Sequence, residues 1–202
     1  MNRILQKCVN KEESWRFNLV LLVVISLFLS GCFGAVFSGA SAVYDNYNLK
    51  RTLSNRAITM TIATAIRSDE ELANSHIEVS CFDYQVLLTG QVKTQKLRKK
   101  AGDIAANTSG VEHVYDFIEE RKPVSGQEAL QDAWITTRVK SEIVASAEID
   151  PSKLKIVTEN GIVYLMGIVS RKQAKQITDI ARYTPDVEHV VQIFKYMLYS
   201  KT

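Results

Sequence analysis

Val111-Glu112-His113-Val114 recurs late in the chain as Val187-Glu188-His189-Val190, and the agreement spreads outward from that match. Upstream, Ile104 and Ala105 correspond to Ile180 and Ala181. Val86, Leu88, Gly90 and Val92 correspond to Val163, Leu165, Gly167 and Val169, and Ile77 and Val79 to Leu154 and Ile156. Ile58, Ile62 and Ile66 fall on Ile135, Val139 and Ile143. A series in one order, interrupted by a single one-residue gap, is an internal repeat.

Each copy has the same local pattern. Apolar residues four apart predict an amphipathic helix over Ile58 to Ile66 and Ile135 to Ile143. Two alternating strands follow, joined by Asn160-Gly161 in the second copy, a pair suited to the positive backbone angles of a tight hairpin. Asp83-Tyr84 is the weaker equivalent in the first. A second helix carries Leu97, Ala101, Ile104 and Ala105, or Ala174, Ile177, Ile180 and Ala181, and a last strand starts at Val111 or Val187. Gly90 and Gly167 lie in mid-strand, where something must approach closely; the second helix crossing the sheet is the expected neighbour. The expected fold is α+β: two tandem αββαβ modules, each with a helical layer on a small sheet, over residues 56–118 and 132–202. Residues 119–131, with Pro123, Ser125 and Gly126, read as a linker.

Ahead of the repeat, Leu29-Ser30-Gly31-Cys32 closes an apolar run from Leu19 and has the spacing of a bacterial lipoprotein cleavage box. On this reading residues 1–31 are a signal peptide, and Cys32 becomes an acylated N-terminus carrying palmitate-like chains. Residues 32–55, rich in Gly, Ala, Ser, Asn and Tyr, read as a tether. The competing expectation is an uncleaved spanning helix, since no charge occurs between Arg16 and Asp45; Gly31, Gly34, Ser38, Gly39 and Ser41 dilute it.

Composition narrows the functional classes. The chain has 25 Lys and Arg against 22 Asp and Glu, and removing Arg3, Lys7, Lys11, Arg16, Glu12 and Glu13 with the signal leaves 21 against 20. So even a balance argues against a nucleic-acid partner, which needs a concentrated basic footprint. Cleavage removes Cys8 and acylation consumes Cys32, so Cys81 has no internal disulfide partner and reads as a small apolar strand residue. No HExxH, GxSxG, paired-cysteine motif or phosphate loop occurs, so no enzyme activity, cofactor or metal is expected. His113 and His189 share one repeated strand position and read as structural. Glu119-Glu120 and Asp69-Glu70-Glu71 read as solvated turns.

The element order, the strand glycine with an apolar residue two on, and the Val-Glu-His-Val start of the last strand resemble the BON family, small αββαβ modules of bacterial envelope proteins. Residues 132–140 and 158–167 are similar to the second module of the family's two-module outer-membrane lipoproteins. The resemblance implies a non-enzymatic lipoprotein on the inner leaflet of the outer membrane, facing the periplasm. Phe33 after Cys32 fits that placement, because it is not the Asp of an inner-membrane retention signal. It also implies that the second module binds anionic phospholipid (phosphatidylglycerol, cardiolipin), with roles in envelope integrity, division-site function and outer-membrane protein assembly.

Features present in one copy only are the candidates for function. On a wheel of the second module's first helix, Trp134 lies roughly 140° from the buried stripe at about 100° per residue. Arg138, Ser141 and Ala145 share its side, Thr137 and Val144 lie beside it, and Lys140 flanks the far edge. The first copy has Ala57 at the Trp134 position, and its outward face, with Thr61, Thr64 and Ser68, reads as small and polar. An outward Trp among cations suits an interfacial helix, so Trp134, Thr137, Arg138, Lys140, Ser141 and Val144 form the expected phospholipid contact. The open alternative folds Trp134 under the linker or onto the first module. Ile162, Tyr164, Met166 and Ile168 make the second hairpin apolar on its other face too, where the first copy has Gln85, Leu87, Thr89 and Gln91. That face is expected to pack on the first module or its linker, or on a partner such as an outer-membrane assembly or divisome protein.

Overall fold

The computed structural model describes residues 42–121, 126–146 and 148–197. The cleavage box, Cys32 and the apolar run before it lie outside the described residues. Among those described, no helix is long and apolar enough to cross a membrane.

The first module runs α1 (Ala42–Ser68), β1 (His76–Phe82), β2 (Gln85–Val92), α2 (Gln95–Ala106), β3 (His113–Asp116) and β4 (Glu119–Glu120). The second runs α3 (Gly126–Ala145), a 3-10 turn (Pro151–Lys153), β5 (Leu154–Glu159), β6 (Ile162–Val169), α4 (Arg171–Tyr183) and β7 (His189–Tyr196). In each, the hairpin is antiparallel and the chain returns through the second helix to add a parallel strand beside the hairpin's second strand. β4 continues the line of β3 along β2. The result is the α+β pair of αββαβ modules expected from the repeat.

The two cores are equivalent. Ile58, Ile62 and Ile66 pack on Val79, Val86 and Leu88 with Ala101 and Ala105, as Ile135, Val139 and Ile143 pack on Ile156, Val163 and Leu165 with Ala174 and Ala181. Small alanines on α2 and α4 let those helices settle close to the sheet. Thr94 caps α2, and Ser170 with Gln173 forms a capping box on α4, satisfying first-turn N–H groups that would otherwise lack partners.

Both hairpin turns have two consecutive positive-φ residues: Asp83 at 52° and Tyr84 at 62°, Asn160 at 52° and Gly161 at 71°. Such a turn follows strand twist, and in the first copy two non-glycine residues adopt it. A polar side chain on the preceding helix holds each turn. Asn55 Oδ1 accepts from Tyr84 N at 3.0 Å, and Asp132 accepts from Asn160 N at 2.8 Å and Gly161 N at 2.9 Å. The turn carbonyl is engaged as well, by Glu112 N donating to Tyr84 O and Glu188 N to Gly161 O.

Several boundaries and neighbours differ from expectation. α1 begins at Ala42, so 42–55 is helix rather than tether, and α3 begins at Gly126 inside the expected linker. Once a buried stripe and a side-chain clamp fix part of a helix, adding turns at its end costs little, even where no apolar period marks them. Glu119-Glu120 is not a free turn but pairs with β2 at Gln91 and Val92, behind the buried Ile118. The last strands start two residues after Val111 and Val187. At the strand glycines the close neighbour is the start of the paired strand, not the second helix. A Cβ on Gly90 (φ 108°) would stand 2.1 Å from His76 O, and one on Gly167 2.5 Å from Leu154 Cδ2.

Candidate functional site

The sheets have their helices on one face only, and their other faces meet. Leu87 of β2 shares a buried cluster with Val157, Tyr164, Met166 and Ile193, edged by Phe82, Tyr115, Phe117, Ile162 and Val191. Alternation explains the sorting: Val86 and Leu88 face the first module's helices while Leu87 points the opposite way, and Val163 and Leu165 are sorted from Tyr164 and Met166 likewise. The order of layers is therefore helix, sheet, sheet, helix. The Phe117 and Tyr164 rings sit 5.1 Å apart and tilted by 56°, within the range of favourable aromatic pairs. Burial pushes the Tyr164 phenol up to about 12. Of the four residues expected on this face, Ile162, Tyr164 and Met166 join the cluster, and Ile168 is half-buried outside it.

Polar contacts rim this apolar seam. The fully buried Gln91 donates through Nε2 to Glu159 Oε1 at 2.5 Å, with His76 Nε2 at 4.0 Å from the same oxygen. Burial raises the Glu159 pKa, opposed by the Gln91 hydrogen bond and by His76. At another point on the rim Lys195 Nζ lies 2.7 Å from Asp83 Oδ2 and 3.1 Å from Glu112 Oε2, while Asp83 also pairs with Arg51 of α1. Asn160 Nδ2 reaches Glu119 Oε2 at 3.4 Å. Sequence reasoning missed these polar links. Neither Gln91 nor Glu159 carries a local signal of burial, and the meeting of the two sheets buries both.

With the sheets turned inward, the molecule presents the outer faces of its helices, α1 and α3 among them. On α3 the indole of Trp134 is 46% exposed, so protein does not enclose it. Thr137, Arg138, Lys140, Ser141 and Val144 are exposed beside it. Leu130, one turn before Trp134 and 74% exposed, extends the ridge; its four-residue spacing from Trp134 was readable, but the segment had been assigned to a linker. Thr137 and Ser141 donate their hydroxyls to Ala133 O and Thr137 O, which turns their polarity back onto the helix. Arg138 Nε pairs with Glu142 Oε1 at 2.7 Å. An exposed pair one turn apart contributes only about 0.5 kcal/mol, so another anion can displace Glu142 at small cost.

A family model described as the BON domain matches residues 54–122 and 131–196, one match per module. The chain belongs to the BON domain family. Among curated relatives, a protein named outer membrane lipoprotein DolP from Haemophilus influenzae is 28% identical over 184 residues, covering 89% of this chain and 95% of that one. A 21 kDa hemolysin of Actinobacillus pleuropneumoniae is 31% identical, covering 67% of this chain and 71% of its own length. Osmotically-inducible protein Y of Escherichia coli is 26% identical, with 68% and 70% covered.

Other candidate chemistry is thin in these BON modules. Among the described residues no group of three or more His, Cys, Asp or Glu is placed to hold a metal. His113 and His189 open equivalent strands, and His113 stacks edge-on against Tyr115 at 4.3 Å. The Cys81 thiol sits 3.4 Å from Asn55 Oδ1, and burial pushes its pKa up to about 11, which keeps it protonated and unreactive at neutral pH.

Proposed function

We propose that this chain is an outer-membrane lipoprotein, acylated at Cys32 and facing the periplasm, whose second BON module binds anionic phospholipid through the outward ridge of α3. The observation that carries the reading is the half-exposed Trp134, set between Leu130 and Val144 on a helix that also presents Arg138 and Lys140. An indole suits the headgroup boundary, and the two cations suit phosphate, each worth about 1 kcal/mol near an anionic surface. Separately these contacts are weak. Acyl tethering raises the local lipid concentration enough to keep them occupied. Similarity to an outer membrane lipoprotein supports the location, and roles in envelope integrity, division-site function and outer-membrane protein assembly are part of this proposal.

Removal of residues 1–31 leaves Trp134 as the sole tryptophan, so its emission reads the contact directly. The mature chain carrying Cys32→Ser should shift its emission to the blue with phosphatidylglycerol or cardiolipin vesicles and not with neutral ones. Trp134→Ala and Trp134→Glu should weaken co-sedimentation severalfold. Equal binding by these variants refutes the site. The competing reading, an adaptor docking on an assembly or divisome protein with lipid incidental, requires that purified protein ignore anionic vesicles.

A further inference from the structure

The first module carries a ridge of its own, which a helix beginning at Ile58 could not reveal. Leu49 is 56% exposed, Leu53 58% and Met60 61%, all on α1. At about 100° per residue these three, with Arg56 and Arg67, fall in an arc of roughly 60°, on the far side of the helix from Ile58, Ile62 and Ile66. Beside the small, polar strip of Ala57, Thr61, Thr64 and Ser68, which is exposed as expected, α1 therefore also presents an apolar and cationic strip. Acidic side chains are absent from α1 after Asp45, whereas Lys50, Arg51, Arg56 and Arg67 follow it.

We propose that this ridge, centred on Leu49, Leu53, Arg56 and Met60, is a second docking surface for an anionic bilayer, separate from the α3 ridge. Charge complementarity supports a lipid surface: a stripe of large apolar side chains bordered by basic residues is the pattern of a helix lying in the headgroup plane. Chain connectivity supports it again. Nine residues separate Cys32 from Ala42, a reach of about 30 Å when extended, so a lipid on Cys32 holds α1 nearer the leaflet than any other described element. This second support rests on the acylation proposed above; the exposed ridge and its charge do not.

The layer order then has a consequence. The sheets pack face to face, so the outer faces of α1 and α3 point away from each other across a body on the order of 40 Å thick. One flat bilayer meets one ridge at a time. The two contacts compete, and the protein exchanges between two orientations on the leaflet.

The test moves the fluorescent reporter. In the mature Cys32→Ser chain, Trp134→Glu combined with Leu53→Trp leaves a single tryptophan on α1, and both sites are exposed, so the fold should survive; circular dichroism melting checks that. Emission should shift to the blue with phosphatidylglycerol vesicles, stay unchanged with phosphatidylcholine, and need at least about tenfold more lipid once Met60→Glu is added. Emission that stays at its buffer value on anionic vesicles overturns the proposal. So does a blue shift without lipid that grows with protein concentration, because a second copy then covers the ridge. The Trp134 titration of the parent protein reads α3 independently, so failure of either ridge is seen without the other.

Discussion

The first and second modules share a scaffold down to the polar residue that holds the hairpin turn, yet differ in how firmly that residue grips. Asn55 offers one carboxamide oxygen to a single backbone N–H and the Cys81 thiol, whereas Asp132 spreads both carboxylate oxygens over two N–H groups. The third strand differs too, running unbroken from His189 to Tyr196 in the second module and split in the first where Asp116 Oδ1 accepts from Ile118 N. Duplicated contacts keep the fold. Divergence collects on the sheet faces that meet and the helix faces that look outward.

The seam is where this comparison breaks most visibly. Tyr164 occupies the repeat position of Leu87, the two meet in the buried cluster between the sheets, and Tyr164→Asp puts a carboxylate among Leu87, Phe117 and Met166. That should cost about 3–5 kcal/mol and separate the modules. Urea unfolding followed by circular dichroism should change from one transition to two; a single transition at the parent midpoint would show that Tyr164 does not hold the modules together.

The turn clamps sharpen the comparison at intermediate size. Asp132→Ala removes two charge-assisted hydrogen bonds from a buried site and should destabilise by about 2 kcal/mol, and Asn55→Ala by about 1 kcal/mol. Equal losses in denaturant titrations would mean that the extra N–H contact to Asp132 contributes nothing.

The smallest expected effect is a pH slope. Glu159 has its folded pKa raised by burial above the ordinary 4.5, so its favourable contribution is complete below that value and fades as pH rises through the raised one. Glu159→Gln keeps an amide contact to Gln91 and should stabilise the protein at neutral pH while flattening that slope. Exposed Glu71, held at about 2 chiefly by Lys100 and Lys96, acts in the opposite sense as pH falls. Melting temperature against pH is therefore read as parent minus variant, and a difference constant from pH 4 to 8 would assign Glu159 no linked proton.

Much of this was readable along the chain. The repeat, the four-residue stripes, the alternating strands and Asn160-Gly161 specify two αββαβ units, because each is a local consequence of side-chain period and backbone preference. The outward placement of Trp134 followed from the same arithmetic. Leu49, Leu53 and Met60 were equally periodic but went unread, since nothing buried marks the first turns of α1.

Sequence by itself determined the two cores, the order of elements and the apolar second face of β6, which had to be covered by something. Only the tertiary structure decided what covers it, that Gln91 and Glu159 become buried partners, and that the two outward ridges stand on opposite sides. Those facts depend on one sheet meeting another across residues far apart in the chain, and no local period records which surfaces will meet.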